Sequence, residues 1–219
     1  MITSSKLLEI WSALRGEQAR VLLYHSISDS PSDPLSVSPD VFCRQMEWLR
    51  ENGIRVISSQ ALVSAIQGGQ ILSRTVLLTF DDALTDFYIA AVPILSDFHY
   101  PGTVFVPTGR VGQASNWGTK SPTRPVMTEL QLKEVAALGF EVGSHTVNHA
   151  SLTDIDHSTL KSELVESLLY LRGKIDIDSI SLAYPFGRGG PRWAMCCWRL
   201  KCCSPMACRL TWKNSSAVC

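Results

Sequence analysis

Between residues 20 and 187 the sequence alternates short apolar runs with longer stretches of helical period, and that alternation admits few folds. Arg20-Val-Leu-Leu-Tyr-His25 reads as a buried strand ending at polar Ser26, and Thr75-Val-Leu-Leu-Thr-Phe80 as a continuous apolar strand ending at Asp81-Asp82. Shorter strands are predicted at Arg55–Ser58, Gly102–Val106, Phe140–Ser144 and Ile180–Tyr184. Between them fall helices: one capped by Asp40 with Phe42, Met46, Trp48 and Leu49 inward and Gly53 as its stop, then Ser59–Ile66, Leu84–His99, a Thr128-capped helix through Leu138, and Leu160–Ile175. Strands separated by helices of about 10–16 residues call for an α/β fold with a mainly parallel sheet, closed as a barrel or open and doubly wound.

Each polar cluster follows a strand: His25, Asp81-Asp82, His145 and Pro185-Phe186. In parallel α/β folds the C-terminal strand ends share one face, so these clusters are expected to converge. Asp81 and Asp82 are adjacent, and in extended backbone their side chains would point opposite ways, one free to bind a metal and the other to act as a base. His145 and His149 are four apart, so on a helical turn they would lie on one face. Alone, each pair has a bland reading: a solvated turn after a strand, and a surface coincidence. Together they make a His-His-carboxylate set of the kind that suits catalytic zinc.

On these residues the chain resembles the polysaccharide deacetylases, the NodB homology domain of carbohydrate esterase family 4. The segments that carry the resemblance are Leu78-Thr-Phe-Asp-Asp-Ala83, Gly143-Ser-His-Thr-Val-Asn-His149 and Ala183-Tyr-Pro-Phe-Gly187, with Leu22-Leu-Tyr-His-Ser26 as the opening strand. The resemblance spans about residues 20–187 and implies a distorted (β/α) barrel of fewer than eight strands. It implies Asp81 as general base and Asp82, His145 and His149 as ligands of a divalent metal, zinc by preference. A metal-bound water would lose a proton to Asp81 and attack the acetyl carbonyl of an acetylated carbohydrate. The metal and a backbone N–H near Phe186 would stabilise the oxyanion, and Tyr184, Pro185 and Phe186 would wall the acetyl pocket. His25 reads equally as a substrate or second-layer contact and as a core histidine. Asn116 and Trp117 lie in a loop able to reach the sugar.

Three departures stand against the family pattern. Ala83 replaces the usual glycine, and Ala183 replaces an arginine that in many members orients the catalytic aspartate. The late Leu-x-His, whose histidine acts as general acid, has no counterpart, because no histidine follows His157.

Composition breaks sharply at that same end. Six of seven cysteines lie after residue 195, and from Arg188 onward there are six basic residues and no acidic one, which leaves 14 basic and 20 acidic residues before it. Adjacent cysteines such as Cys196-Cys197 and Cys202-Cys203 lack Cys-x-x-Cys spacing and chelate poorly. A shift of reading frame near Phe186–Gly190 accounts for the segment better, because cysteine and tryptophan codons begin with TG and turn into leucine, valine or methionine codons one base earlier. The expected organisation is an N-terminal amphipathic helix over 1–19, a partial deacetylase domain over 20–187 and an aberrant tail over 188–219, with the barrel incomplete at its C-terminal end.

A formal net charge of zero argues against nucleic-acid or anionic-membrane surfaces. No run approaches the ~18 apolar residues needed to cross a bilayer. With no signal peptide the chain as written reads as cytoplasmic, or as exported if further sequence precedes Met1. Three functions compete: a metal-dependent deacetylase, an inactive carbohydrate- or metal-binding remnant of one, and a structural domain without a site.

Overall fold

In a computed structural model, residues 19–70, 72–117, 122–177 and 181–188 are described. The predicted N-terminal helix, the start of the last predicted strand and the cysteine-rich tail lie outside them.

One parallel sheet organises the chain, with strand order β1-β5-β6-β7 and β4 paired to β5. Its strands are β1 (Arg20–Tyr24), β4 (Arg55–Val56), β5 (Thr75–Phe80), β6 (Thr103–Val106) and β7 (Glu141–Ser144). A small second ladder joins β2 (Ser26–Ile27) to β3 (Ser36–Val37). The helices are α1 (Pro39–Glu51), α2 (Ser59–Gln67), α3 (Val92–Asp97, entered through a π-helical turn at Phe87–Ala91), α4 (Glu129–Ala137) and α5 (His157–Tyr170, continued by a π turn at Leu171–Ile175).

All six residues of β5 are buried, as its unbroken apolar sequence requires of a strand covered on both faces. β1 departs from the buried-strand reading: Val21 and Leu23, on one face of the strand, are 54% and 48% exposed, while Tyr24 on the other is buried. Aromatic rings fill the core around Phe80, which packs on Tyr24, Phe42 and Phe87, while Phe87 meets Phe140 edge to face. α1 begins two positions earlier than read from Asp40 as its cap. Ser38 is its cap, with its Oγ accepting from the Val41 N–H, Pro39 opens the first turn and Asp40 lies inside it. Thr128 caps α4 as expected, in a reciprocal capping box with Gln131.

Register brings the strand ends level. Tyr24 pairs with Phe80, Phe80 with Val104, and Val106 with Ser144. Leu182 continues the series through a single parallel bridge to Ser144 in place of the predicted strand. The residues that follow, His25, Asp81-Asp82, His145 and Ala183–Phe186, therefore emerge on one face. Among the described residues the strand order is linear, not a closed barrel.

Candidate metal centre

Asp81 leaves β5 with its N–H still bonded to the Tyr24 carbonyl, 2.9 Å away. The chain then turns sharply, with Asp82 at φ 72° and Ala83 at φ 49°, both in the left-handed region. That turn corrects the expectation that the two carboxylates point apart. Both face one imidazole: His145 Nε2 lies 3.9 Å from Asp81 Oδ2 and 3.7 Å from Asp82 Oδ1. A glycine would adopt this conformation without strain. Ala83 adopts it fully buried, held by the Met127 N–H on its carbonyl at 2.9 Å.

His145 and His149 also converge by a route other than the helical turn predicted from their spacing. Residues 145–149 form a loop in which Thr146 (φ 67°) and His149 (φ 57°) are left-handed, and the ring centroids come within 4.8 Å. His149 Nε2 lies 3.1 Å from Asp82 Oδ1. One ligand atom each from Asp82, His145 and His149 lies within 4.8 Å of the others, and all three residues are buried. No other group of this kind occurs among the described residues.

The donor set fits a cation. His145 Nδ1 sits 3.0 Å from the Ala183 carbonyl oxygen, which can only accept, so Nδ1 carries the proton and Nε2 presents a lone pair. That lone pair faces carboxylate oxygens, acceptor against acceptor. Asp81 Oδ1, Asp82 Oδ1 and His149 Nδ1 are buried without a hydrogen-bond partner. A buried acceptor left unpaired is costly, and a divalent ion shared with the two imidazoles would satisfy Asp82 Oδ1. Burial lowers the His145 pKa to about 3, with the nearby His149 adding to the shift, so the ring is neutral at physiological pH. Burial pushes the Asp82 carboxyl up, but the hydrogen bond with His149, first among the effects of the surrounding histidines, outweighs it and lowers the pKa below the ordinary carboxylate value. Asp81 behaves oppositely: burial, then the adjacent Asp82 charge, raise its carboxyl well above the usual range.

The remaining predicted residues divide. Phe186 reaches the site edge-on to His149, centroids 4.7 Å apart, in a left-handed conformation (φ 60°) and 57% exposed. Pro185 is buried, and Tyr184 packs against the Leu152–Leu160–Leu164 cluster. His25 follows β1. Burial lowers its pKa, and the charges of Asp82, His149 and Asp33 also act on it, which places it within electrostatic reach. Trp117 stacks on His149 with centroids 4.5 Å apart and planes at 16°. Glu163 was absent from the sequence reading. It occupies the apolar stripe of α5 among Leu160, Leu164, Ser167 and Leu168, and a carboxylate at a core position is the signal that could have found it.

The model for the polysaccharide deacetylase family matches residues 69–193. YxkH of Bacillus subtilis (strain 168) is 30% identical over 169 residues, covering 77% of this chain and 56% of that protein. A poly-beta-1,6-N-acetyl-D-glucosamine N-deacetylase of Escherichia coli (strain K12) is 28% identical over 201 residues, covering 75% of this chain and 30% of that protein. The chain thus spans about half, or less, of these curated relatives. Among solved structures, the Streptococcus pyogenes deacetylase PplD in complex with acetate is similar at a TM-score of 0.72 and 30% identity, over 83% of this chain and 80% of that one. With a matched segment that takes in more than half its length and both aspartates and histidines of the site, the chain belongs to the polysaccharide deacetylase family.

Proposed function

We propose that this chain removes acetyl groups from N-acetylated polysaccharide, with Asp82, His145 and His149 holding a divalent cation, zinc by preference, and Asp81 acting as general base. The observation that carries the reading is the mutual approach of three buried ligand atoms within 4.8 Å, one of them on a histidine whose tautomer leaves the lone pair facing the others. A zinc ion bound there would lower the pKa of water and polarise the acetyl carbonyl.

Asp81 supplies the proton acceptor. Burial and the Asp82 charge raise its pKa, which makes its carboxylate a stronger proton acceptor, and its Oδ1 has no competing partner. It takes the proton of the attacking water as the carbonyl carbon gains its new C–O bond, and returns that proton to the nitrogen as the amide C–N bond breaks. Phe186 walls the acetyl group, with Tyr184 and Pro185 behind it, and a backbone N–H beside Phe186 is the oxyanion donor. His25, within electrostatic reach of Asp82 at the end of β1, serves as a second-layer contact. The polymer is of the poly-N-acetylglucosamine type that the Escherichia coli relative's name specifies.

A second reading, a metal- or carbohydrate-binding protein without turnover, is favoured by one observation: no histidine after His157 is present to protonate the departing amine. Zinc content measured beside acetate release from N-acetylglucosamine oligomers decides between them. Stoichiometric zinc with acetate supports the hydrolase, zinc without acetate the second reading, and neither removes both.

A further inference from the structure

The loop between the two candidate histidine ligands is gripped from both sides. On one side, N–H groups of the turn after β6 reach its carbonyls: Thr108 N donates to Thr146 O at 3.0 Å and Gly109 N to Val147 O at 2.8 Å. On the other side a single carboxylate does the work. Glu163, only 5% exposed on α5, accepts from Val147 N at 2.8 Å and Asn148 N at 2.9 Å through Oε2, and from Asn148 Nδ2 at 2.8 Å through Oε1.

Among the described residues Glu163 is buried and makes no ion pair, and its three donors all belong to residues 147 and 148, midway between His145 and His149. Hydrogen bonds to an ionised acceptor are about twice as strong as neutral ones. The loop they hold carries left-handed residues at Thr146 and His149, a conformation that non-glycine residues keep only when their surroundings enforce it. No hydrogen bond fixes the His149 ring at Nδ1, so the backbone that carries it has to be placed by other means.

We propose that Glu163 is a positioning residue for the metal centre: its carboxylate fixes the 145–149 loop in the shape that aims both imidazoles at Asp82. The proposal rests on the metal reading above, and it acts through the loop without touching either imidazole.

The test compares the full chain with Glu163→Ala, Glu163→Gln and Leu160→Ala. Leu160, 1% exposed, lies one turn before Glu163 in the separate Leu152–Leu160–Leu164 cluster, so its truncation destabilises α5 without removing a contact to the loop amides. Zinc affinity is read by chelator competition, and exchange of the Val147 and Asn148 amides by NMR on the metal-free proteins. Glu163→Ala is expected to weaken zinc binding roughly 10- to 100-fold, as loss of a supporting partner does at metal sites. It should also strip protection from those two amides. Glu163→Gln, whose side-chain oxygen still accepts from both backbone N–H groups but which loses the charge and turns an amide toward Asn148 Nδ2, should fall between the parent and Glu163→Ala, and Leu160→Ala should melt earlier with parental zinc affinity. Parental affinity in Glu163→Ala, or equal losses in Glu163→Ala and Leu160→Ala, overturns the proposal. Should the parent itself bind no zinc, the metal reading falls, and the amides still decide: retained protection in Glu163→Ala overturns the positioning role, and lost protection upholds it.

Discussion

Trp117 lies flat on His149, planes 16° apart, where His145 has a hydrogen bond to the Ala183 carbonyl instead. The two imidazoles of one centre are thus oriented by different forces, one by directional bonding and the other by ring contact with Trp117 and Phe186. A stacked pair of this sort contributes about 0.5–1.5 kcal/mol beyond area burial. Trp117→Ala should therefore weaken zinc binding by roughly two- to tenfold. Zinc titration of the parent should change tryptophan fluorescence, because the indole touches the ring of a proposed ligand. The change should vanish in Trp117→Phe, and its persistence there would assign the signal to another tryptophan and remove Trp117 from the site.

Gly109 is where the β6 turn comes closest to the histidine loop. A Cβ there would meet the Val147 Cγ1 and carbonyl oxygen at 2.9 Å each, and Asn148 Oδ1 at 3.2 Å. Backbone cannot swing aside as a side-chain end can, so Gly109→Ala must displace the loop. Overpacking of this kind costs about 1–3 kcal/mol. The expected result is a lower urea midpoint together with weaker zinc binding, and parental values for both would show the loop to be pliant.

Much of this architecture is legible from residue order because burial on both faces leaves a plain mark: Thr75–Phe80 holds four apolar residues and two β-branched threonines, has no charge, and is a strand throughout. Thr128 with Gln131 announces the start of α4 for a local reason, and local signals survive into the structure. The site was legible as a set of residues and less so as a geometry. Four-residue spacing suits a helix and a turn equally, and only the tertiary grip of Glu163, Thr108 and Gly109 selects the loop. The aspartate pair converges because Asp82 leaves the extended region, a choice that alternation along a strand cannot reveal. Ser38 and Asp40 are both capping residue types two positions apart, and Pro39 between them, a first-turn residue, is the local mark that favours Ser38. Trp117 meets His149 across 32 positions of chain, and no periodicity connects them.

Asp156 caps α5, accepting from Ser158 N at 2.8 Å and Thr159 N at 3.0 Å and from both side-chain hydroxyls, and those bonds hold its carboxyl far below the ordinary range. A depressed acid stabilises the fold above its unfolded pKa, about 3.9 for aspartate, and loses that contribution as pH falls toward the folded value. Asp156→Ala should melt below the parent at pH 7, and the gap should narrow as pH drops below about 4. Paired thermal melts from pH 7 to pH 2 check the sign. A gap that is constant across that range would mean that the cap works without its charge.

The neighbouring aspartates make opposite predictions, and this contrast bears most directly on the chemistry. Asp82 Oδ1 lies 3.7 Å from His145 Nε2 and 3.1 Å from His149 Nε2, so Asp82→Asn turns an anionic ligand into a neutral amide at the point where the three donors meet. Zinc should be lost, and acetate release with it. Asp81 Oδ2 stands 3.9 Å from His145 Nε2, and its carboxyl is pushed up by burial and by the Asp82 charge. Asp81→Asn therefore removes a costly buried negative charge, so the metal-free protein should melt at or above the parental temperature. Zinc should stay bound, while acetate release falls about 10²- to 10⁴-fold, the usual contribution of a positioned base. If Asp81→Asn lost zinc and Asp82→Asn kept it, the roles of ligand and base would have to be exchanged. If both kept zinc, the cation would have to be held by groups other than these carboxylates.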